Sequence, residues 1–279
     1  MSATETQAPP AAGTGPRKLE GRVALVTGGT RGIGAAICHS LATQGATVAA
    51  GYSSNKEAAE GHLDAIEKAG ATGSIHQGNV GVHDDCQRVV KDVIEQHGRL
   101  DILVNNAGIT NDMPVLKMGA DDWNKVISVN LSGAFFMSKP ALDHMLERGS
   151  GRIVNISSII GQTGNIGQAN YAAAKSGMFG LTTTMAREAA QALAKSEKLH
   201  ENGLNVTVNA VAPGFIETEM LEGVPEKVLE GVKKQIPFAR LGRPEEIARV
   251  VHFLCADASS YITGQVWACL LYTSPSPRD

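Results

Sequence analysis

The chain has 279 residues, of which 43% are hydrophobic and 19% are charged, and its 25 Lys and Arg against 28 Asp and Glu give a formal net charge of −3. A mildly acidic chain without a basic block lacks the clustered cations that neutralise nucleic-acid phosphates, so no nucleic-acid partner is expected. Its four cysteines form no CxxC pair and have no zinc-finger spacing, so neither a disulfide framework nor a metal site is expected.

The composition changes at both ends of the chain. Residues 1–18, rich in Ala, Pro, Gly and Thr, predict a disordered extension because they offer little apolar surface. Residues 19–267 predict a single domain. The stretch 268–279 ends in Ser-Pro-Ser-Pro and forms an atypical tail; our hypothesis is a truncated reading frame or a sequence artefact joined at about Ala268. No apolar run spans a bilayer and no signal peptide is visible, so a soluble cytoplasmic protein without membrane contact is expected.

From Gly21 onward, short β-branched runs alternate with longer helical patterns, which is typical of βαβ units around a buried parallel sheet. The predicted strands are Val23–Thr27, Thr47–Gly51, Gly73–Gln77, Ile102–Val104, Arg152–Ser157 and Asn205–Ala210. The predicted helices cover residues 33–44, 55–69, 83–97, 122–147, 170–198 and 244–256. This order predicts one α/β domain, a Rossmann-type doubly wound parallel sheet in three α/β/α layers, with ligands outside the carboxyl ends of the strands.

A glycine cluster follows the first predicted strand. Gly28, Gly32 and Gly34 separate that strand from a helix that begins near Ile33. A sharp turn, a close approach to a diphosphate and a helix N-terminus all require the absence of a Cβ, so the cluster favours dinucleotide binding. A tight strand-to-helix turn without a ligand is the alternative.

The end of the second strand indicates which dinucleotide is bound. An NAD site places an acid there for the ribose hydroxyl, but the first acid in this chain is Glu57. Arg31 in the glycine cluster, with the hydroxyls of Tyr52 and Ser53, instead favours the 2′-phosphate of NADPH. Arg31 as a solvated loop charge is the alternative.

Tyr171 and Lys175 lie four residues apart at the start of a predicted helix, so both side chains occupy one face. An adjacent ammonium favours the phenolate, and we expect Lys175 and an oxidised nicotinamide ring together to lower the pKa of Tyr171 toward neutrality in a dry site. A packed tyrosine beside an outward lysine is the common alternative. Ser158, thirteen residues before the tyrosine, and Asn105–Gly108 follow two further strands, so polar groups converge on one edge of the sheet.

These motifs, in this order, resemble the short-chain dehydrogenase/reductase family over roughly residues 19–267. The residues that carry the resemblance are TGGTRGIG, NNAG, Ser158, YAAAK and Val211–Thr218. Residues 108–112, 151–158 and 165–171 are similar to the 3-oxoacyl and acetoacetyl-CoA reductases of that family.

The resemblance implies an NADPH-dependent enzyme that reduces an acetoacetyl-CoA type thioester to an (R)-3-hydroxyacyl-CoA for polyhydroxyalkanoate synthesis. It implies that Tyr171 protonates the carbonyl, Ser158 binds the same oxygen, Lys175 binds the nicotinamide ribose and Asn130 holds a proton-relay water. The implied cofactor contacts are Gly28, Thr30, Arg31, Gly32, Ile33, Gly34, Tyr52, Asn79, Val80, Asn106, Ala107, Gly108, Tyr171, Lys175, Pro213, Gly214, Ile216 and Thr218. The implied substrate contacts are Asp112, Ser158, Gln168 and Tyr171.

Two regions of the chain leave their interpretation open. Residues 217–235 predict a mobile lid over the acyl chain, with an ordinary surface helix as the alternative. The segment after Gly264 departs from the family pattern. In that family the last strand lies at a subunit interface, so a homotetramer is expected only if this end is intact.

Other activities fit the same motifs. A 3-oxoacyl-(acyl-carrier-protein) reductase of fatty acid synthesis is the first alternative. Carrier-protein docking favours basic residues, and residues 145–152 contain only two arginines offset by Glu147, which favours the CoA thioester. A non-catalytic NADPH sensor and an alcohol or sugar dehydrogenase on the same fold are further alternatives.

Overall fold

A computed structural model of the chain describes residues 17–199, 203–221, 224 and 226–269. Residues 1–16 of the predicted extension and residues 270–279 of the predicted tail lie outside this part of the chain. Ala268 and Cys269 lie inside it: Ala268 ends a strand, and the backbone N–H of Cys269 donates to the carbonyl of Ala212 over 3.0 Å.

A single parallel sheet of seven strands runs through the described part of the chain, in the spatial order β3-β2-β1-β4-β5-β6-β7. The strands are β1 (Val23–Val26), β2 (Thr47–Tyr52), β3 (Gly73–Gln77), β4 (Ile102–Asn105), β5 (Gly151–Ile156), β6 (Val206–Ala212) and β7 (Val266–Ala268). The direction of winding reverses between β1 and β4, which opens a crevice at their carboxyl ends. The predicted Rossmann-type fold is confirmed.

Helices connect the strands and cover both faces of the sheet. They are α1 (Gly32–Thr43), α2 (Lys56–Lys68), α3 (His83–His97), α4 (Ala120–Ile127), α5 (Gly133–Arg148), α6 (Ile160–Thr163), α7 (Ala169–Lys195), α8 (Glu226–Gln235) and α9 (Pro244–Cys255). Among the described helices, none is long and apolar enough to cross a membrane.

The core forms two layers because strands buried on both faces need apolar cover on each side. On one face, Ile37 and Leu41 of α1 pack with Val251 and Leu254 of α9. On the other face, α3, α5 and α7 contribute apolar side chains such as Val93. The third layer predicted for the fold is therefore present.

Two elements differ from the sequence-based prediction. The strand β7 was not predicted, because it has three residues of which only Val266 is β-branched, and two of the three are exposed. The helix predicted over residues 122–147 is divided into α4 and α5 by a π-helical turn at Ser128–Ser132. Such turns insert one residue into a helix and are frequent at functional sites.

A serine between two histidines makes part of the core sensitive to pH. The Oγ of Ser74 lies 2.9 Å from Nε2 of His76 and 2.8 Å from Nε2 of His97. Burial lowers the pKa of both histidines, and the mutual repulsion of the two rings adds to the effect at His76. Both imidazoles are therefore neutral in the folded protein at neutral pH.

We expect the free energy of unfolding to decrease as the pH falls below about 6.5, because the unfolded chain then binds protons that the folded chain excludes. Each histidine that stays neutral in the folded protein adds at most about 1.4 kcal/mol per pH unit to the slope of the unfolding free energy against pH. Urea denaturation between pH 5.5 and 7.5 measures this slope. His76→Gln should flatten it, whereas the exposed control His83→Gln should not; an unchanged slope in His76→Gln contradicts the assignment.

Candidate active site

Four predicted catalytic side chains lie together at the carboxyl ends of the central strands. The Nζ of Lys175 is 5.6 Å from the ring centroid of Tyr171. The hydroxyl of Ser158 lies near enough to the phenol of Tyr171 to influence its pKa. A Cβ placed on Gly108 would lie 2.5 Å from Oδ1 of Asn130 and 3.5 Å from Nζ of Lys175, so the amide oxygen and the ammonium both lie close to Gly108. The cluster therefore combines an acid, a hydroxyl donor, a cation and an amide.

The lysine is anchored to the sheet. Lys175 is 3% exposed, and its Nζ donates to the carbonyl of Ile156 over 2.8 Å. That carbonyl ends β5, and Ser157, the next residue, donates from Oγ to the carbonyl of Lys175 over 2.6 Å. Burial disfavours the charged ammonium and lowers the pKa of Lys175 to about 8.

Asn130 owes its position to the π-helical turn between α4 and α5. Its Nδ2 donates to the carbonyls of Ile109 and Val126, each over 2.9 Å. Its Oδ1 accepts the backbone N–H of Ile109 over 3.2 Å. These bonds hold the segment after β4 against the helix and fix the amide beside Lys175.

The groups of the protein raise the pKa of Tyr171 instead of lowering it. Burial raises this pKa, the nearby hydroxyl of Ser158 lowers it, and the carboxylate of Asp112 raises it further. The share of the lowering expected from an oxidised nicotinamide ring stays a prediction. A phenol with a raised pKa keeps its proton at neutral pH, which suits a group that donates a proton.

The glycine turn after β1 fits a diphosphate. Gly28 and Gly32 have φ angles of +58° and +51°, which side chains other than glycine rarely adopt. A Cβ on Gly34 would lie 2.1 Å from the carbonyl oxygen of Gly28. Among the described residues, no side chain caps the N-terminus of α1 at Arg31. The first turn of this helix therefore offers its N–H groups and positive dipole to an anion.

The segment after β4 supports the turn from the side. Thr27 Oγ1 accepts the backbone N–H groups of Asn106 and Ala107, each over 3.0 Å. Nδ2 of Asn106 donates to the carbonyls of Thr27 over 2.9 Å and Gly28 over 3.1 Å. Asn106 thus holds the glycine turn with its side chain, a role that the sequence alone did not indicate.

The remaining predicted cofactor residues lie along the same edge. Arg31 is exposed beside the glycine turn, and Tyr52 ends β2. The carbonyl of Pro213 accepts the N–H of Ile159 over 2.9 Å, which ties the segment after β6 to the segment after β5. A Cβ on Gly32 would lie 3.4 Å from Cγ2 of Thr218, so that segment reaches the glycine turn.

The two predicted acyl contacts bind each other. Nε2 of Gln168 donates to Oδ2 of Asp112 over 2.9 Å, and Nδ2 of Asn165 donates to Oε1 of Gln168 over 2.9 Å. The backbone N–H of Met113 donates to the carbonyl of Gly167 over 2.8 Å. These bonds join the loop before α4 to the loop before α7 beside Tyr171.

The segment predicted as a lid begins next to Ile216, which forms an isolated β-bridge with Gly242 outside the sheet. None of the described residues of α8 is buried, and Val228 is 52% exposed. Leu229 and Val232 of this helix are half-buried, and both the lid and the surface helix stay predictions. A cavity of about 760 Å³ separates this segment from α1 and α2. Oε2 of Glu219 would lie 3.3 Å from a Cβ on Gly32, a proximity that no motif predicted.

Comparisons with known proteins agree with this geometry. The family model described as enoyl-(acyl carrier protein) reductase matches residues 28–269. The 3-oxoacyl-(acyl-carrier-protein) reductase FabG of Thermotoga maritima is 45% identical over 253 residues, which cover 89% of this chain and 96% of the relative. The acetoacetyl-CoA reductases of Shinella zoogloeoides and Rhizobium meliloti are 48% and 49% identical over 244 residues, which cover 87% of this chain and 94% of each relative.

This chain belongs to the short-chain dehydrogenase/reductase family. Its fold and family define an oxidoreductase scaffold, and the roles of individual residues stay predictions.

The short-chain dehydrogenase/reductase site also depends on buried polar residues that the motifs did not reveal. Nδ2 of Asn105 donates to Ser138 and to Asn155, each over 2.8 Å, and Nδ2 of Asn155 donates to Thr182 over 2.9 Å. This chain of amides and hydroxyls joins β4 and β5 to α5 and α7. The sequence signal that could have revealed these bonds is the presence of polar residues within otherwise apolar strands.

The glycine turn gives a direct test of dinucleotide binding. We expect Gly34→Ala to weaken NADPH binding at least about tenfold and to destabilise the fold by about 1–3 kcal/mol, because the new methyl group overlaps the turn. Fluorescence titration with NADPH and urea denaturation measure the two effects.

Gly61→Ala is the matched control. A Cβ on Gly61 in α2 has no atom within 4 Å, so this change should leave NADPH binding unchanged and stabilise the helix by about 0.5–1 kcal/mol. Gly34→Ala protein with the NADPH affinity of the wild type contradicts the assignment of the turn.

Proposed function

We propose that this short-chain dehydrogenase/reductase is an NADPH-dependent 3-ketoacyl thioester reductase that converts acetoacetyl-CoA to (R)-3-hydroxybutyryl-CoA. The observation that carries the proposal is the buried Lys175, whose Nζ lies 5.6 Å from the ring centroid of Tyr171, with the hydroxyl of Ser158 near the phenol. Relatives named 3-oxoacyl-(acyl-carrier-protein) reductase and acetoacetyl-CoA reductase support the substrate class. Supply of the (R)-hydroxyacyl thioester for polyhydroxyalkanoate synthesis is the corresponding role.

The residues present fit the dinucleotide because Gly28 and Gly32 adopt positive φ angles in the turn and no described side chain caps the N-terminus of α1, which leaves its N–H groups available to a diphosphate. Gly32, Ile33 and Thr218 are placed for the diphosphate, and Lys175 for the nicotinamide ribose. Bound NADPH supplies a hydride for the carbonyl carbon. Arg31, Tyr52 and the absence of an acid before Glu57 favour NADPH over NADH.

The residues of the protein manage the proton. As the carbonyl carbon gains the hydride, its oxygen becomes an alkoxide, and Tyr171 transfers the proton of its hydroxyl to that oxygen. Ser158 donates a hydrogen bond to the same oxygen and stabilises the developing negative charge. The ammonium of Lys175 stabilises the phenolate that remains, and a water held beside Asn130 returns a proton to it.

The choice between a CoA and a carrier-protein thioester rests on the surface charge. Arg152 is 1% exposed, and its Nη1 donates to the carbonyls of Gly151 and Asn205. Nη2 of Arg148 lies 3.9 Å from Oδ1 of Asp101. Arg152 therefore serves the fold, and Arg148 is the only exposed arginine of residues 145–152, which favours the CoA thioester. The carrier-protein reductase is the second candidate, because a relative of that name is 45% identical.

Two further properties belong to the proposal. We expect a homotetramer, since Phe253 and Trp267 near β7 are 44% and 37% exposed and face outward at the edge where the family assembles. We also expect a cytoplasmic location, where NADPH and acyl thioesters are made.

We expect Tyr171→Phe to reduce NADPH oxidation with acetoacetyl-CoA at least about 10³-fold, because the proton donor of the reduction is lost. NADPH affinity should stay within about threefold of the wild type, since the aromatic ring is kept. Absorbance at the nicotinamide band measures turnover, and fluorescence measures binding. Unchanged turnover contradicts the proposed mechanism. Wild-type protein that binds NADPH but reduces no ketone supports the non-catalytic sensor instead.

The thioester is decided by comparing kcat/KM for acetoacetyl-CoA and for acetoacetyl-acyl-carrier protein with the same preparation. We expect the CoA ester to be preferred. A strong preference for the carrier protein overturns the choice of CoA and leaves the reductase assignment intact.

A further inference from the structure

Three side chains at the start of α3 bind the segment that follows β3. Nη2 of Arg88 donates to the carbonyl of Gln77 over 2.9 Å. Oδ2 of Asp85 accepts the backbone N–H of Asn79 over 2.8 Å, and Sγ of Cys86 donates to the carbonyl of Val80 over 3.2 Å. These three bonds connect α3 to the backbone of Gln77, Asn79 and Val80.

Arg88 and Asp85 also bind each other. Nη2 of Arg88 lies 2.9 Å from Oδ1 of Asp85, while Oδ2 of the same carboxylate accepts from Asn79. The bond from Asn79 and the bond from Arg88 hold the pKa of Asp85 below its ordinary value. An exposed ion pair alone contributes little to stability, but here each partner has a second bond to the backbone. The pair therefore fixes the backbone of residues 77–79.

The same segment extends to the end of β2. Nε2 of Gln77 donates to the carbonyl of Ser53 over 3.1 Å, and the N–H of Gly78 donates to the carbonyl of Tyr52 over 2.9 Å. Gln77 is thus held by Arg88 at its backbone and holds Ser53 with its side chain. A continuous set of bonds runs from α3 to both segments.

These two segments lie on the β2 and β3 side of the crevice, away from Tyr171. Under the proposed function, Asn79 and Val80 lie beside the adenine, and Tyr52 and Ser53 lie beside the ribose with its 2′-phosphate. We propose that Asp85 and Arg88 are positioning residues, which contact no substrate but fix the two segments that receive the adenosine end of NADPH. Preorganised segments lose less conformational entropy on binding, so their loss weakens affinity.

The test uses 2′,5′-ADP, which carries only the adenosine end of NADPH, in calorimetric titrations of the full chain. We expect Arg88→Met and Asp85→Ala each to weaken its binding by about five- to tenfold, the effect of losing one or two hydrogen bonds. The double variant should bind 2′,5′-ADP only slightly more weakly than the single variant of lower affinity, because both residues act through one set of bonds. In turnover, KM for NADPH should rise while kcat stays near that of the wild type.

Two control variants separate positioning from general damage to α3. Asp85→Asn keeps an oxygen that accepts from Asn79, so it should restore most of the affinity that Asp85→Ala loses. Lys91→Met removes the exposed pair with Glu95 on the same helix, 3.5 Å apart, and should change nothing.

The inference rests on the proposed function, and the two fail differently. Wild-type protein that binds neither NADPH nor 2′,5′-ADP overturns both. The positioning role alone is overturned if the wild-type protein binds 2′,5′-ADP and the Arg88→Met and Asp85→Ala variants bind it with affinities within twofold of the wild type. The positioning role is also overturned if Asp85→Asn does not restore the affinity that Asp85→Ala loses. It is likewise overturned if the variants lower kcat by as large a factor as they raise KM for NADPH.

Discussion

One buried ammonium group organises the catalytic edge of this protein. Nζ of Lys175 donates to the carbonyl that ends β5, and the carbonyl of Lys175 accepts from Ser157, so strand and helix hold each other through a pair of bonds. Tyr171 and Ser158 lie on either side of this connection, and Asn130 lies across Gly108 from the ammonium. Because an ionised group is costly to bury, the carbonyl of Ile156 offsets part of that cost.

Burial acts in opposite directions on the two titrating groups of the site. It raises the pKa of the Tyr171 phenol above its ordinary value of 10.0 and lowers the pKa of the Lys175 ammonium from 10.5 to about 8, so the two values move apart. The phenol therefore keeps its proton at neutral pH, and a protonated phenol is the form that a reduction consumes. The polar residues Asn105, Asn155 and Thr182 behind the site hold the strands and α7 in register, which keeps these distances fixed.

The fold and much of the candidate site follow from patterns that the sequence displays. Most strands of the sheet are short, largely buried runs rich in Val, Ile and Ala, and the glycine turn follows the first of them, so local patterns suffice to predict these elements. The π-helical turn at Asn130 depends on how α4 and α5 meet, which no local pattern contains. The pKa of Tyr171 and the burial of Arg152 depend on tertiary contacts, and the sequence argument therefore missed both. The bonds from α3 to residues 77–80 join side chains whose helical spacing alone looks like an ordinary solvated face.

The most direct measurement is the titration of Lys175 itself. Protein labelled with ¹³C at lysine Cε gives one signal for each lysine, and the Lys175→Arg variant identifies the signal of Lys175. A buried ammonium whose neighbours are a carbonyl, the Sδ of Met178 and an aromatic ring predicts a midpoint of about 8, well below the ordinary value of 10.5. A midpoint at or above 10.5 would mean that Lys175 is solvated or paired with an anion, and the account of the catalytic edge would then be wrong.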